Sequence, residues 1–277
     1  MSARSASRGM IAIASREVSK RAALLGLAAL LAIAPAFLPD AVTDRPFLRF
    51  FCCVVMTAAA AIVTGSSVIA RDLVEGRLGF FLARPIPWWS LWGGKWMAAV
   101  VLTFASGAIV MIPVLAGPEP FPANPWWSAA LFGPMMLGLI GVAHVATVGY
   151  RSQSPWLLLD AALAALLGWA VVKTSLVLSA FGLWAYGLDF MSAGLWVLAI
   201  AVTAATAAQV AWGGSDVRRA RHVLLVALWS VLVPAVAGYA AWGAWVARLS
   251  PRDLARVAFV QASADGAWIA AAGHARP

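Results

Sequence analysis

Seven stretches of roughly twenty apolar residues recur along this chain, near positions 22–38, 50–70, 96–117, 127–149, 156–178, 191–212 and 223–247. A helix rises 1.5 Å per residue and the hydrocarbon core of a bilayer is about 30 Å thick, so each stretch has the length of a crossing. Lipid offers the backbone no hydrogen-bond partner, which restricts crossings to helices or closed barrels. A barrel would show alternating segments of about ten residues, and these runs do not alternate. The composition agrees: 63% of residues are hydrophobic and 11% charged, against roughly 45–50% and 25% in soluble domains. The expected fold is an all-α polytopic membrane protein.

The formal charge is +9, but the cations lie in short clusters between the apolar runs and not on one soluble face, which argues against nucleic acid as a partner. With the N-terminus in the cytoplasm, the inner segments hold Arg4, Arg8, Arg16, Lys20, Arg21, Arg71, Arg77, Arg84, Lys95, Arg151, Arg218, Arg219 and Arg221. The outer loops before the C-terminal tail then keep only Arg45 and Arg49. The positive-inside rule therefore predicts a cytoplasmic N-terminus and, after seven crossings, an extracytoplasmic C-terminus. The opening MSARSASRGMIAIASREVSKR has no signal-peptide cleavage pattern, so the first apolar run is expected to stay as a helix. Cys52 and Cys53 are adjacent, which gives neither a disulfide framework nor metal-ligand spacing.

The loop PEPFPANPW at 118–126 is proline-rich and free of Lys and Arg, as an outer connection should be. Trp88, Trp89, Trp92, Trp126, Trp127 and Trp156 fall near predicted span ends, where an indole keeps its ring in apolar surroundings and its N–H among headgroups. From 248 to 277 the pattern changes to two strand-like runs, RVAFVQ and WIAAAG, around a turn signal at Asp265-Gly266. This reads as a hairpin outside the membrane, the possible start of a larger β domain, because a lone hairpin is marginal in water.

The most informative segment is RDLVEGRLGFFLARPIPWWSLWGGK, from Arg71 to Lys95. On a helical wheel over 71–84, Leu73, Val74, Leu78, Phe81 and Leu82 share one face and Asp72, Glu75, Arg77 and Arg84 lie on the flanks and back. Such a helix lies along a membrane surface until Pro85 and Pro87 stop it. The order Glu75, Gly76, an apolar stretch from Leu78 to Leu82, Pro85 and then Gly94-Lys95 resembles that of permeases of the type-2 ATP-binding-cassette transporter family. The opening SREVSKR, with Glu17 at its acidic position, is similar to that family's amphipathic N-terminal helix. Two departures stand out: Arg77 replaces a small polar residue, and Gly79 sits where an acidic residue is common. The likeness implies an amphipathic segment at 1–21, a six-span core at 22–222 with a coupling helix at 71–84, and an added span at 223–247.

What the resemblance implies for function is a division of labour. A separate cytoplasmic ATPase subunit would bind ATP and magnesium and drive a pair of permease copies, either identical or homologous, in a bacterial cytoplasmic membrane, most plausibly as an exporter. Arg71, Asp72, Glu75, Gly76, Arg77, Arg84 and Glu17 would meet that subunit, with Pro85, Gly94 and Lys95 completing the motif. The chain itself has no G-x-x-x-x-G-K-[ST] phosphate loop: Gly93-Gly94-Lys95 is followed by Trp96 and lacks the first glycine. No cofactor, metal site or enzymatic centre is expected here, and membrane lipid is the other expected partner. Snorkelling at the interface would also account for Lys95 and Arg84. Asp160, His144 and Lys173 are ionisable residues within predicted spans and so are candidates for a polar pathway, the basis of an alternative reading as a secondary transporter or channel. A further alternative is a membrane scaffold that presents the C-terminal tail outside.

Overall fold

The computed structural model describes residues 3–34, 45–67, 70–75, 77–83, 86–115, 125–152, 157–180, 187–213, 216–248, 260–262 and 269–271. Their architecture is almost entirely helical. An amphipathic helix α1 (Ala3–Lys20) is followed after Arg21 by α2 (Ala22–Ile33), with the chain breaking at Arg21, whose φ is −117° and ψ 18°. Next come α3 (Arg45–Ser67), two short helices α4 (Ala70–Val74) and α5 (Arg77–Leu82), and α6 (Trp88–Leu115). The remaining helices are α7 (Pro125–Arg151), α8 (Leu157–Ala180), α9 (Gly187–Trp212) and α10 (Val217–Arg248). Proline opens α7, in the first turn, where a missing N–H costs no intrahelical hydrogen bond.

Six helical stretches are long and apolar enough to cross a bilayer: Phe50–Leu73, Trp88–Pro113, Leu131–Arg151, Leu157–Leu178, Phe190–Trp212 and Val217–Arg248. They coincide with six of the seven expected crossings. The seventh, expected at 22–38, is represented by α2, whose 12 residues are shorter than the roughly 20 a span requires; positions 35–38 lie outside the described residues.

The coupling helix expected over 71–84 is instead two helices. α4 ends at Val74, Glu75 stands in a turn, and α5 starts at Arg77.

The chain divides into two units: residues Met1–Asp160 with Phe190–Leu232, and Ala161–Asp189 with Val233–Pro277. In the first, α6 packs against α1, α2 and α3, and α3 packs against α7. One apolar core joins Ala70, Leu73 and Leu91 to Val148, Val202 and Leu224, and a second gathers Ala61, Ala99, Met136, Ile140 and Val210. Small residues let the backbones touch: a Cβ on Gly65 of α3 would lie 2.1 Å from the Ile140 carbonyl oxygen of α7. In the second unit, Gly243 of α10 seats Thr174 of α8, and Ser175 shares a 3.0 Å hydrogen bond with Tyr239. Two three-residue strands, β1 (Val260–Ala262) and β2 (Ile269–Ala271), pair antiparallel with Gln261 opposite Ala270. They overlap the two strand-like runs of the tail, β1 sharing Val260 and Gln261 with the first and ending one residue past it; the turn signal at Asp265-Gly266 lies outside the described residues.

Candidate functional site

Lys95 is the largest fully buried side chain of the described residues, with 1% of its surface exposed. The reason is the start of α6. The apolar run begins at Trp96, but the helix begins at Trp88, so Lys95 stands two turns inside it and not at its end. Snorkelling is therefore not how this ammonium is accommodated. A buried cation needs anionic partners, and two carboxylates supply them: Glu17 from α1, with Oε1 3.4 Å from Lys95 Nζ, and Asp72 from α4, in direct contact. The Phe81 ring of α5 lies beneath the same ammonium, 5.6 Å from Nζ to its centroid.

Arg21 extends the cluster. Its guanidinium contacts Glu17 and donates to Ser67 at the end of α3, 3.3 Å to the hydroxyl and 3.1 Å to the carbonyl. Lys20 lies 3.6 Å from Glu17 on the exposed side. One ionic cluster thus holds α1, the junction into α2, the end of α3, α4 and the start of α6. Burial works against the charged form of Glu17, yet Lys95, the hydrogen bond from Arg21 and the charges of Arg21 and Lys20 outweigh it and hold the carboxyl below its ordinary value.

Gly94 has a packing reason. A Cβ there would lie 2.7 Å from the Met10 carbonyl oxygen and 2.9 Å from Ile13 Cβ, so α1 lies directly against α6 at the turn that carries Lys95. The Ser90 hydroxyl donates to the Ala6 carbonyl at 3.0 Å and pins the other end of the same contact.

On the outer side of the cluster, Glu75 is held by Arg71 (2.6 Å) and Arg77 (2.9 Å), all three partly or largely exposed. The hydrogen bond from Arg71 is the main cause that keeps its carboxyl below the ordinary range, with the charges of Arg71, Arg77 and Arg151 adding to it. Of the other expected contact residues, Gly76, Arg84 and Pro85 lie outside the described residues. Those described fall into two groups: Glu17, Asp72, Gly94 and Lys95 form the buried junction, and Arg71, Glu75 and Arg77 its exposed face.

The intramembrane candidates do not converge. Asp160 of α8 meets the nearly buried Arg221 of α10 and accepts a 3.4 Å hydrogen bond from Trp229; the sequence had suggested no partner for it. His144 of α7 meets Gln209 of α9 through Nε2 at 2.6 Å. Lys173 is exposed on α8. Trp92, expected as an interfacial anchor, instead donates its indole N–H to Thr206 of α9 at 3.2 Å and stacks on Trp96, so it serves helix packing. No group of three or more His, Cys, Asp or Glu that could hold a metal occurs among the described residues.

The depressed Glu17 carboxyl has a sign. A folded-state value below the unfolded one contributes stability above about pH 4.5, and that contribution is lost as pH falls through the folded value. Thermal melting of the detergent-solubilised protein is expected to hold steady from pH 7 to 5 and drop below that. In a Glu17→Gln variant the acid drop should shrink; an identical drop would assign acid lability to other carboxylates.

No family model matches the chain, and neither the curated proteins nor the solved structures contain a match to it.

Proposed function

We propose that the chain is the membrane-spanning permease subunit of an ATP-driven transporter, coupled to a separate cytoplasmic ATPase. Six bilayer-length helices support the membrane part of this reading. The observation that carries the rest is the ionic junction at Lys95. It fastens an amphipathic helix and a pair of short surface helices to the base of a spanning helix, while Glu75, Arg71 and Arg77 face outward on the same short helices. A push on α4 by a bound partner would reach α6 through the Asp72–Lys95 contact, and a push on α5 through the Phe81 ring beneath the same ammonium. This is the mechanical requirement for a permease that hydrolyses nothing itself. The reading includes two permease copies per complex, a bacterial cytoplasmic membrane with the N-terminus inside, and export as the direction of transport. With the run at 22–38 counted as a seventh crossing, the strand pair after α10 would stand on the extracytoplasmic side.

The test is affinity purification of the complex from native membranes with mass identification of bound chains, comparing the natural sequence with Glu75→Arg. The natural chain is expected to bring down an ATPase subunit. In the variant a third arginine stands where Arg71 and Arg77 share a carboxylate, and recovery should fall at least about tenfold. A folded protein that brings down no ATPase in either form overturns the reading.

A further inference from the structure

Beside the ionic junction opens a groove of about 310 Å³, lined by Arg16, Lys20 and Arg77, by Glu17 and Asp72, and by Phe80 and Phe81. Its carboxylates are already engaged: Glu17 by Lys95, Arg21 and Lys20, and Asp72 by Lys95. Glu75, behind Arg77, is shared with Arg71. Among the residues that line it, the three cations Arg16, Lys20 and Arg77 face the two carboxylates Glu17 and Asp72, an excess of one positive charge, and those carboxylates also pair with Lys95 and Arg21. Arg16 is exposed and has no ion-pair partner among the described residues. The groove therefore presents Arg16, Lys20 and Arg77, the last two shared with Glu17 and Glu75 and the first outside the ion pairs of the described residues.

Its position says which anion. It lies where the bilayer-length stretch from Phe50 ends at Leu73 and the next starts at Trp88, the depth of lipid headgroups. One wall is aromatic, with Phe80 60% exposed. A ligand that fits both halves carries a phosphate and an apolar part. We propose that this groove binds the headgroup of an anionic phospholipid, with Arg16, Lys20 and Arg77 around the phosphate and Phe80 against the start of its acyl region. The proposal needs only that the chain lies in a membrane, and it stands whether or not an ATPase is the partner.

The measurement is native mass spectrometry of the full chain released from detergent, titrated separately with dioleoyl phosphatidylglycerol, dioleoyl phosphatidylcholine and inorganic phosphate. Juxtamembrane cations contribute on the order of fivefold each, so the first phosphatidylglycerol should bind about a hundredfold more tightly than phosphatidylcholine. The variant Arg16→Gln/Lys20→Gln/Arg77→Gln should lose this preference. Arg218→Gln/Arg219→Gln, which removes exposed cations elsewhere, should keep it. Should the triple variant not fold, Arg16→Lys/Arg77→Lys retains the charge and is expected to keep the preference, while raised salt should weaken it in the natural chain. Equal binding of the two lipids overturns the proposal. So does an equal loss in the Arg218/Arg219 variant, which would mean diffuse attraction, or full competition by inorganic phosphate, which would mean a site for the free ion.

Discussion

Lys95→Met is expected to destabilise the protein by about 3–5 kcal/mol, the cost of leaving buried carboxylates without their cation. Methionine fills the space of the lysine stem, so the loss comes from charge and not from a cavity. Asp72 suffers most, because Lys95 is the cation it contacts, whereas Glu17 keeps Arg21 and Lys20. The physical account therefore makes a second, sharper prediction: Lys95→Met/Asp72→Asn should recover most of the loss, and Lys95→Met/Glu17→Gln should recover less. Thermal melting, in one detergent, of the natural chain, the single variants Lys95→Met, Asp72→Asn and Glu17→Gln and the two double variants closes both cycles. A single variant within about 1 kcal/mol of the natural chain would mean that the junction does not hold α1 and α4 to α6.

The second large effect is asymmetric. Asp160→Leu strands a guanidinium whose side chain is 7% exposed, whereas Arg221→Leu strands a carboxylate that is 21% exposed and still bonded to Trp229. Arg221 also has Nε buried without a hydrogen-bond partner, so it has little left to satisfy it once the carboxylate is gone. Removing the acid is expected to cost about 3 kcal/mol, the cost of leaving a buried charge without its partner. Removing the base should cost roughly half as much, and the double leucine variant should be close to the natural protein. Equal losses from the two single variants, read from melting in detergent, would contradict this account.

The crossings were legible because burial in lipid demands long uninterrupted apolar runs, a pattern local in sequence. The ionic junction was legible only in its parts. Glu17, Asp72, Gly94 and Lys95 could each be singled out by residue type, but they come from three helices, and no local pattern reports that α1 folds back onto α6. One signal was available: if the helix is taken to start at Trp88, after Pro85 and Pro87, Lys95 falls two turns inside and requires a counter-charge. Asp160 shows the same limit. Its spacing to Lys173 on one helix could be measured from sequence, whereas Arg221 reaches it only through the packing of α8 on α10. The division of the 71–84 segment into α4 and α5 was not legible from the continuous apolar face on the wheel.

The contact between Glu17 and Lys95 spans 78 residues of chain. A ribosome adds about 5–20 residues per second, so α1 emerges several seconds before the cation that seats it exists. Through that interval Glu17 has only its neighbours Lys20 and Arg21 for company, and the amphipathic α1 has the bilayer surface as its one apolar support. The helix α1 is thus made well before the element that seats it: the junction can close only once α6 has been made, and α7 to α10 follow after that.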